Sequence, residues 1–576
     1  MEFIFSANRL DKNWDFIKVG NNYLNYNYNN NCKKREFFIE TSGLIILGDT
    51  NINFSNAIRS HSNEAAIKRH IKKLTHGFVI VIVKSNNKII IYNDIFGYYQ
   101  LFYKNDNNQL IIASDYKLLI ESSKGIIDQF ALLDLVLFNY TLLDRTLLLD
   151  IKRFKGGTKC IVSNGSLSLS FPNNYADNFQ LPEKLTSIKP QNVANILKEN
   201  VNSDLCDERD IYLTMTGGFD SRALLAACNN LGLSFKSFTF GQHGNIEMEV
   251  PKPFIEKFSQ KHTNFYLDQN YLNKLENIVY DFISYNLDNP TMLDITQYSF
   301  IKEQLPTANI ISGIMGGEIM GGQSIGAQVT FNNFAANLIR ANNPNELRES
   351  FYRELENNPF LNKEKIYELE ESYLNSLEPY YKQSDNLNLL KFLLNEKYSK
   401  FFGTINKVFK NHSNLVIPFL NANYLDTILN SHISFLRKKP FYHNPIINFK
   451  FKVFYAKMIS FLSPELGETR FDRLYRVNDL CKFYRLPLAG LGYMKSHLFK
   501  TNKKNYPKPH HYDLWFKDII IDIFRQDNKY RDNPILQQYY LTEIKYDKLS
   551  TLDKKRLANA SAGIIAINKI RENLKK

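Results

Sequence analysis

The residues of this 576-residue chain best suited to chemistry lie in one short stretch, TMTGGFDSR at positions 214–222. Gly217 and Gly218 let backbone N–H groups approach an anion, and Thr216 and Ser221 add hydroxyl groups. Asp220 provides a carboxylate that could hold Mg²⁺. An apolar run precedes the stretch and a helix-like sequence follows it, so we predict a phosphate-binding turn between a strand and a helix. No Lys follows the glycines, which excludes the P-loop motif.

A second glycine-rich stretch, IISGIMGGEIMGG, occupies positions 310–322. It also follows a short apolar run and contains one carboxylate, Glu318. If both stretches end parallel strands, they meet at the same edge of a sheet, where ligands of open α/β folds bind. Ser312 and Gly313 are therefore candidate binding residues, and Glu318 is a candidate second metal ligand.

The surrounding sequence predicts two domains. Short β-branched runs separated by Asn, Asp and Gly clusters fill positions 43–170 and predict hairpins. A polar stretch with three prolines, positions 172–190, predicts a linker. Strand-like and helix-like segments then alternate, as in an open parallel α/β sheet, and the chain is mostly helical after about Phe331. We predict a first domain at 1–180 and a second at 190–576.

Composition limits the partners and the compartment. The net charge of +14 permits an anionic partner, but no stripe of Arg interleaved with aromatic residues indicates nucleic-acid binding. Five cysteines stand singly, so neither a zinc site nor a disulfide framework is expected. No stretch of about 18 apolar residues predicts membrane insertion. We expect a cytoplasmic protein with no nucleic-acid partner.

The two glycine-rich stretches resemble those of the asparagine synthetase family, which includes β-lactam synthetases and lasso-peptide cyclases. TMTGGFDS is similar to the family's S-G-G-x-D-S pyrophosphate loop, with Thr216 in place of Ser. The second stretch is similar to S-G-D-G-G-D-E-L-F-G-G, but Ile314 and Gly317 replace its two Asp residues. In the first domain, GFVIVIVKSNNKIIIYNDIFGYYQLFYKNDNNQLIIASDYKLLI and FKGGTKCIVSNG resemble the family's glutaminase-like domain.

This resemblance implies a fold and a set of site residues. The first domain would be an Ntn-hydrolase-like β-sandwich of the class II glutamine amidotransferase type. The second would be a doubly wound parallel sheet of the PP-loop ATP pyrophosphatase type with a helical extension. The cofactors would be ATP and Mg²⁺, the metal bound by Asp220 and Glu318. Lys495, in YRLPLAGLGYMKSHLF, would contact the acyl-adenylate as a catalytic residue together with Glu318. The implied nucleotide-binding residues are Leu213, Thr216, Gly217, Gly218, Asp220, Ser221, Phe240, Gly241, Ser312 and Gly313.

The N-terminus departs from the glutamine-hydrolysing members, which need a cysteine directly after the initiator Met. This chain begins Met1-Glu2-Phe3. We therefore expect an AMP-forming amide ligase without glutaminase activity. Its partners would be a carboxylate-bearing small molecule, peptide or sugar acid, an amine donor and a maturation partner protein. A lasso-type macrolactam cyclase and a surface-sugar amidotransferase are the favoured forms. Three alternatives stay open: a catalytically silent nucleotide-binding homologue, asparagine synthesis from ammonia, and a nucleic-acid-associated ATP pyrophosphatase.

Overall fold

The computed structural model describes most of the chain. The described residues are 1–9, 14–27, 35–60, 63–106, 109–163, 166–206, 209–258, 261–292, 295–305, 307–320, 333–356, 358, 360–437, 445–470, 475–501, 515–525, 535 and 546–575. The second half of the second glycine-rich stretch, including Gly321 and Gly322, lies outside them. Every described helix is too short or too polar to cross a bilayer.

The first domain contains two antiparallel sheets. The first sheet has the strand order Lys152–Arg153, Phe102–Asp106, Gln109–Ala113, Glu2–Ser6, Asn22–Asn27, Asp15–Val19. The second sheet has the strand order Ser166–Ser170, Lys159–Ser163, Lys88–Asn93, Gly77–Val83, Leu44–Thr50, Glu36–Glu40. The helices of this part are Ile52–Ser60, Glu64–His70, Lys117–Ile120, Gln129–Phe138 and Tyr175–Asn178, with a 3-10 turn at Ile71–Lys73.

Side-chain alternation along the strands builds four layers. Phe3 and Phe5 point into a core between the two sheets, where they meet Phe78, whereas Ile4 points to the opposite face. In the second sheet, Val79 faces the two helices at 52–70. Helices therefore cover both outer faces of a sandwich, which is the layering of an Ntn-hydrolase-like domain.

The second domain is built on one parallel sheet. Its strand order is His262–Tyr266, Lys236–Gly241, Ile211–Thr214, Asn309–Ile311, Asn414–Val416. Its helices up to residue 391 are Pro190–Ser203, Phe219–Asn230, Ile246–Glu249, Lys252–Phe258, Gln269–Leu272, Leu275–Tyr285, Thr296–Gln304, Gly316–Met320, Asn333–Arg340, Pro344–Glu356, Lys363–Ser376 and Asp385–Lys391. A π-helix, Phe392–Phe402, comes next. The later helices are Gly403–His412, Ala422–Leu429, Pro445–Leu462, Pro464–Gly467, Val477–Cys481, Leu486–Thr501, Lys517–Arg525 and Thr551–Leu574. Short 3-10 turns occur at Glu378–Tyr380, Phe435–Arg437, Phe483–Arg485 and Tyr546–Lys548. The predicted parallel sheet is confirmed.

One core cluster joins the two domains. Helix Gln129–Phe138 of the sandwich packs on the C-terminal helix Thr551–Leu574, and its buried leucines belong to the same cluster as Leu213 of the parallel sheet. The predicted linker is fixed to the second domain, since the Thr186 N–H donates to the Asn430 carbonyl at 3.0 Å.

A buried polar network ties the sandwich to the end of the parallel sheet. Arg35 Nη1 donates to Asn414 Oδ1 at 2.8 Å, and Asn414 Nδ2 donates to the Asp204 carbonyl at 2.8 Å. Asn309 Nδ2 donates to the carbonyl of Cys206 at 2.7 Å. Cys206 is disulfide-bonded, whereas Cys160, Cys228 and Cys481 are free thiols. The sequence predicted no disulfide framework, and it did not identify this single bond.

The side chain of Asp204 lies in this junction. Burial raises its pKa to about 6, although the positive charge of Arg35 opposes the shift. Its Oδ1 is buried and has no hydrogen-bond partner among the described residues. The folded protein therefore favours the protonated form of this carboxyl group.

Replacing Asp204 by Asn should stabilise the protein in a pH-dependent way. A raised folded-state pKa means that the wild type loses stability as the pH rises from the unfolded value, 3.8, through about 6. The gain in unfolding free energy of D204N over wild type should therefore be near zero at about pH 4 and reach about 2–3 kcal/mol by about pH 7. Urea titrations across this range measure it. D210N, at a surface aspartate, is the control, and an equal gain in both variants would contradict the prediction.

Candidate functional site

The candidate site lies at the switch point of the parallel sheet. Strand Ile211–Thr214 pairs with Lys236–Gly241 on one side and with Asn309–Ile311 on the other. The connections after Thr214 and after Ile311 therefore run in opposite directions and open a crevice beyond the carboxyl ends of the strands. The described residues of both glycine-rich stretches lie at this crevice.

The first bend is closed by its own hydroxyl groups. The Thr216 N–H donates to Ser221 Oγ at 3.3 Å, and Ser221 Oγ donates to the Thr216 carbonyl at 2.9 Å. The Gly218 N–H is bonded to Thr216 Oγ1 at 3.3 Å. Helix Phe219–Asn230 begins immediately after the bend. The N–H groups in the first turn of a helix have no acceptors within the helix. They lie at its N-terminal end, which attracts anions.

Asp220 joins the first bend to the second. Its Oδ2 accepts a hydrogen bond from the Gly317 N–H at 3.1 Å, and its Oδ1 accepts one from the Tyr455 hydroxyl at 2.9 Å. The Tyr455 ring also stacks on Phe219, with centroids 5.5 Å apart. Burial, followed by the negative charge of Glu318, raises the pKa of Asp220 to about 7. The structure thus holds two carboxylates near each other at the mouth of the crevice.

Glycines make room for this arrangement. A Cβ atom at Gly316 would lie 2.7 Å from Asp220 Cγ, and one at Gly313 would lie 3.1 Å from Asp220 Cβ. At Gly317 a Cβ would lie 3.3 Å from Asp220 Oδ2. The second bend therefore needs glycines so that the Asp220 side chain can lie against its backbone.

Glu318 has a buried partner that sequence reasoning missed. Lys397 Nζ donates to Glu318 Oε1 at 3.0 Å, and the Lys397 side chain is only 5% exposed. Lys397 lies on the π-helix Phe392–Phe402, a helix type that is rare and often occurs at functional sites. The sequence LNEKYSKFF around it carries no motif, and nothing in the residue spacing could have placed this lysine beside Glu318.

The structure brings most of the predicted residues together. Leu213 is fully buried and reaches the crevice only through its backbone, next to Ile311 in register. Phe240 and Gly241 end the neighbouring strand, and Ser312 is buried where the adjacent strand ends. Lys495 is different. It is exposed on helix Leu486–Thr501, and no described hydrogen bond or ion pair joins it to the other predicted residues.

Arg222, in the first turn of helix Phe219–Asn230, is fully buried. Its Nη1 donates to Thr469 Oγ1 at 3.1 Å, and its Nη2 donates to the Arg470 carbonyl. This guanidinium fixes helix Phe219–Asn230 to the segment after helix Pro464–Gly467 and does not face the crevice.

The metal-binding capacity of the crevice rests on two side chains. Within the described ranges, no group of three or more His, Cys, Asp or Glu side chains could hold a metal ion. Asp220 and Glu318 fit a Mg²⁺ site that is completed by water and substrate phosphates, since Mg²⁺ is usually bound through one or two carboxylates. Burial and, after it, the negative charge of Glu318 raise the pKa of Asp220, and a bound cation would relieve the repulsion between the two carboxylates.

Met1 and Cys160 of the sandwich are both buried. Met1 is buried between the sheets, where its amine donates to Asp49 Oδ2 at 3.2 Å and also contacts Glu36. Cys160 is fully buried, and burial raises the pKa of its thiol to about 12. A thiol in that environment is not a nucleophile at neutral pH.

Comparison with known proteins supports the first domain. Residues 61–175 match the glutamine amidotransferase domain family. Together with the four-layer sandwich, this match confirms a glutamine amidotransferase-type first domain with an Ntn-hydrolase-like fold. The match covers about a fifth of the chain, so it does not assign the whole protein to a family. No curated protein matches the chain.

Solved structures similar to the chain include a glutamine phosphoribosylpyrophosphate amidotransferase from B. subtilis in complex with ADP and GMP. It is 9% identical, with 42% of this chain and 67% of that chain covered, and the TM-score is 0.16. A structure described as the allosteric regulatory enzyme of purine biosynthesis is 10% identical over 43% of this chain and 67% of that chain, with a TM-score of 0.17. Similarity at this level assigns no activity to the present chain.

Replacing Gly316 by Ala should displace Asp220. The added methyl group would lie within 3.0 Å of three Asp220 atoms, so the carboxylate would lose its hydrogen bonds to Gly317 and Tyr455. We expect a loss of about 1–3 kcal/mol in the free energy of unfolding, measured by urea titration. The control is G490A, where a Cβ meets nothing within 4 Å. Equal stability of G316A and G490A would show that the bends do not hold Asp220 in this way.

Proposed function

We propose that the protein is an ATP-dependent, AMP-forming amide ligase of the asparagine synthase type that does not use glutamine. The observation that carries this proposal is the pair of glycine-rich bends joined by Asp220 at the switch point of the parallel sheet. The glutamine amidotransferase-type first domain supports it, because a domain of this type suggests amidotransfer activity. The PP-loop identity of the second domain is part of the proposal.

The first bend would bind the phosphates that leave as pyrophosphate. Backbone N–H groups of Gly217 and of the first turn of helix Phe219–Asn230 would approach the phosphate oxygens. The Gly218 N–H would join them by exchanging its hydrogen bond to Thr216 Oγ1 for one to phosphate. The ends of the strands at Leu213, Phe240 and Gly241 would contact adenine and ribose, together with Ser312 and Gly313. Asp220 and Glu318 would hold Mg²⁺, which neutralises phosphate charge when bound.

The reaction would run in two steps. A substrate carboxylate oxygen attacks the α-phosphorus of ATP, the bond to the β-phosphate oxygen breaks, and an acyl-adenylate and pyrophosphate result. An amine then attacks the acyl carbon, AMP leaves, and the amine gives up a proton. Holding the two reactants in line contributes several kcal/mol to such a reaction. Glu318 would accept a proton or orient the metal.

The predicted role of Lys495 adds a requirement. As an exposed residue of helix Leu486–Thr501, it would contact the acyl-adenylate only if that helix lay over the bend in the substrate complex. Lys397 is already buried beside Glu318. We propose that Lys397 positions the Glu318 carboxylate.

The amine would come from a source other than glutamine. In the described part of the sandwich, the Cys160 thiol is buried and protonated at neutral pH. Free ammonia or a substrate amine would then attack, which is why we favour a tailoring ligase that acts on a peptide or a sugar acid. A lasso-type macrolactam cyclase would act on a peptide and have a maturation partner protein, whereas a surface-sugar amidotransferase would act on a uronic acid.

A second candidate is a catalytically silent nucleotide-binding protein. Both Asp220 oxygens already accept hydrogen bonds within the protein, and Ile314 and Gly317 supply no carboxylate. Such a site would bind the nucleotide but would hold the metal too weakly to release pyrophosphate.

ATP–pyrophosphate exchange separates these functions. The protein should exchange label from pyrophosphate into ATP when one of three probes is added: aspartate, glucuronic acid or a peptide with a free side-chain carboxylate. D220N should lower the rate at least about 100-fold, because electrostatic contacts to the leaving phosphates act in the transition state. D268N, at the half-buried N-cap of helix Gln269–Leu272, is the control. ATP binding without exchange would favour the silent protein, and the absence of ATP binding would contradict both candidates.

Glutamine hydrolysis provides a separate check. Incubation of the protein with glutamine, with or without ATP, should release no glutamate above the rate of a heat-denatured sample. C160A should behave like the wild type, since that thiol is buried and protonated. Glutamate release that C160A abolishes would contradict the proposed nitrogen source.

A further inference from the structure

The C-terminal part of the chain exposes a group of large apolar side chains. Phe483 is 89% exposed and Tyr484 is 72% exposed, whereas Leu488, Leu491 and Met494 are each 51–54% exposed. We call these five residues the 483–494 surface. Scattered single apolar residues are normal on protein surfaces, but a contiguous set marks an interaction site.

Helical spacing puts this set on one side of its segment. Tyr484, Leu488 and Leu491 are separated by four and three residues, and helix Leu486–Thr501 carries the last two. Among the described elements, this helix makes its main contacts only with the two segments directly before it, Val477–Cys481 and Phe483–Arg485. The base of the segment is fixed, because Arg485 Nη1 donates to Glu468 Oε1 at 3.1 Å. The apolar side is therefore presented outward from an anchored base.

The same segment is basic. Its described part, positions 480–501, contains Lys482, Arg485, Lys495 and Lys500 and no Asp or Glu. Lys482 and Lys495 are exposed at the two ends of the 483–494 surface. Exposed aromatic and aliphatic side chains flanked by lysines are the composition of helices that lie in the interface of an anionic bilayer.

We propose that the 483–494 surface docks the protein on an anionic lipid bilayer. The apolar side chains would enter the boundary between headgroups and acyl chains, and the lysines would contact the headgroups. The helix would lie on the membrane without crossing it, in line with the lack of a spanning helix among the described residues. This inference is independent of the proposed ligase activity.

Other occupants fit the observations less well. A second copy of the chain would bring two basic segments together, and like charges oppose that contact. A nucleic acid would match the charge but would gain little from Leu488, Leu491 and Met494, and the one arginine of the segment, Arg485, is paired with Glu468. A bilayer uses both the apolar and the cationic side chains.

Vesicle cosedimentation tests the proposal. The full chain should pellet with vesicles of equal parts phosphatidylcholine and phosphatidylglycerol, and not with phosphatidylcholine alone. Binding should weaken as NaCl rises, because salt screens exposed charges. The double variant F483S/Y484S should bind at least about tenfold more weakly. The reason is that each aromatic side chain buried in the bilayer strengthens binding by about that factor or more. K482Q should weaken binding to the anionic vesicles by a smaller factor.

Matched controls keep the test specific. Y367S removes a 46% exposed tyrosine from helix Lys363–Ser376 and should bind as the wild type does. Urea unfolding should give the same midpoint for F483S/Y484S and wild type, because both side chains are exposed.

Four outcomes would overturn the proposal. They are equal binding to both kinds of vesicle, equal binding by F483S/Y484S and wild type, tighter binding of a single-stranded oligonucleotide through the same two residues, and a dimer in solution that F483S/Y484S dissociates. Wild-type binding to anionic vesicles that only the surface variants lose would support it.

Discussion

The hydrogen bond between the Gly317 N–H and Asp220 Oδ2 is the contact on which the crevice depends. This hydrogen bond joins the first turn of helix Phe219–Asn230 to the bend after strand Asn309–Ile311, so the two bends keep a fixed separation. Tyr455 adds a second hydrogen bond from helix Pro445–Leu462, and its ring covers Phe219. The Asp220 carboxyl group is thus held by hydrogen bonds from two other elements at the N-terminal end of its own helix.

The sandwich contributes to this geometry from a distance. Its helix Gln129–Phe138 and the C-terminal helix belong to the core cluster that also contains the central strand of the parallel sheet. Asn174 and Gln100 of the sandwich side donate hydrogen bonds to Asn395 and Ser399 of the π-helix, which carries Lys397 to Glu318. The sandwich thus supports the wall of the crevice.

The predictable part of this protein is the part that depends on local sequence. Short apolar runs and helical periodicity identify Ile211–Thr214, Phe219–Asn230 and Asn309–Ile311. The reason is that the hydrophobic periodicity of a strand or helix depends only on residues close together in sequence. Glycines at the two bends follow from the same logic, since close approach to Asp220 requires them.

The remaining features depend on contacts between residues far apart in sequence. Tyr455 and Lys397 reach the crevice from segments that carry no motif, and the order in which helices pack cannot be obtained from their periodicity. Arg222 shows the same limit. From its position in the first turn of the helix, the Arg222 side chain could contact either a ligand or solvent. The segment at 469–470 instead covers that side of the helix and supplies two acceptors.

Ile314 and Gly317, which carry no carboxylate, lower the negative charge of the crevice. Asp side chains at positions 314 and 317 would put four acidic groups at the two bends, whereas this chain has Asp220 and Glu318. A side chain at position 317 would also begin 3.3 Å from Asp220 Oδ2, so Gly317 both removes a charge and lets its N–H meet the carboxylate. Lys397 balances the second carboxylate. With two carboxylates at the bends instead of four, a bound phosphate group meets less repulsion, so it needs less charge neutralisation by a cation.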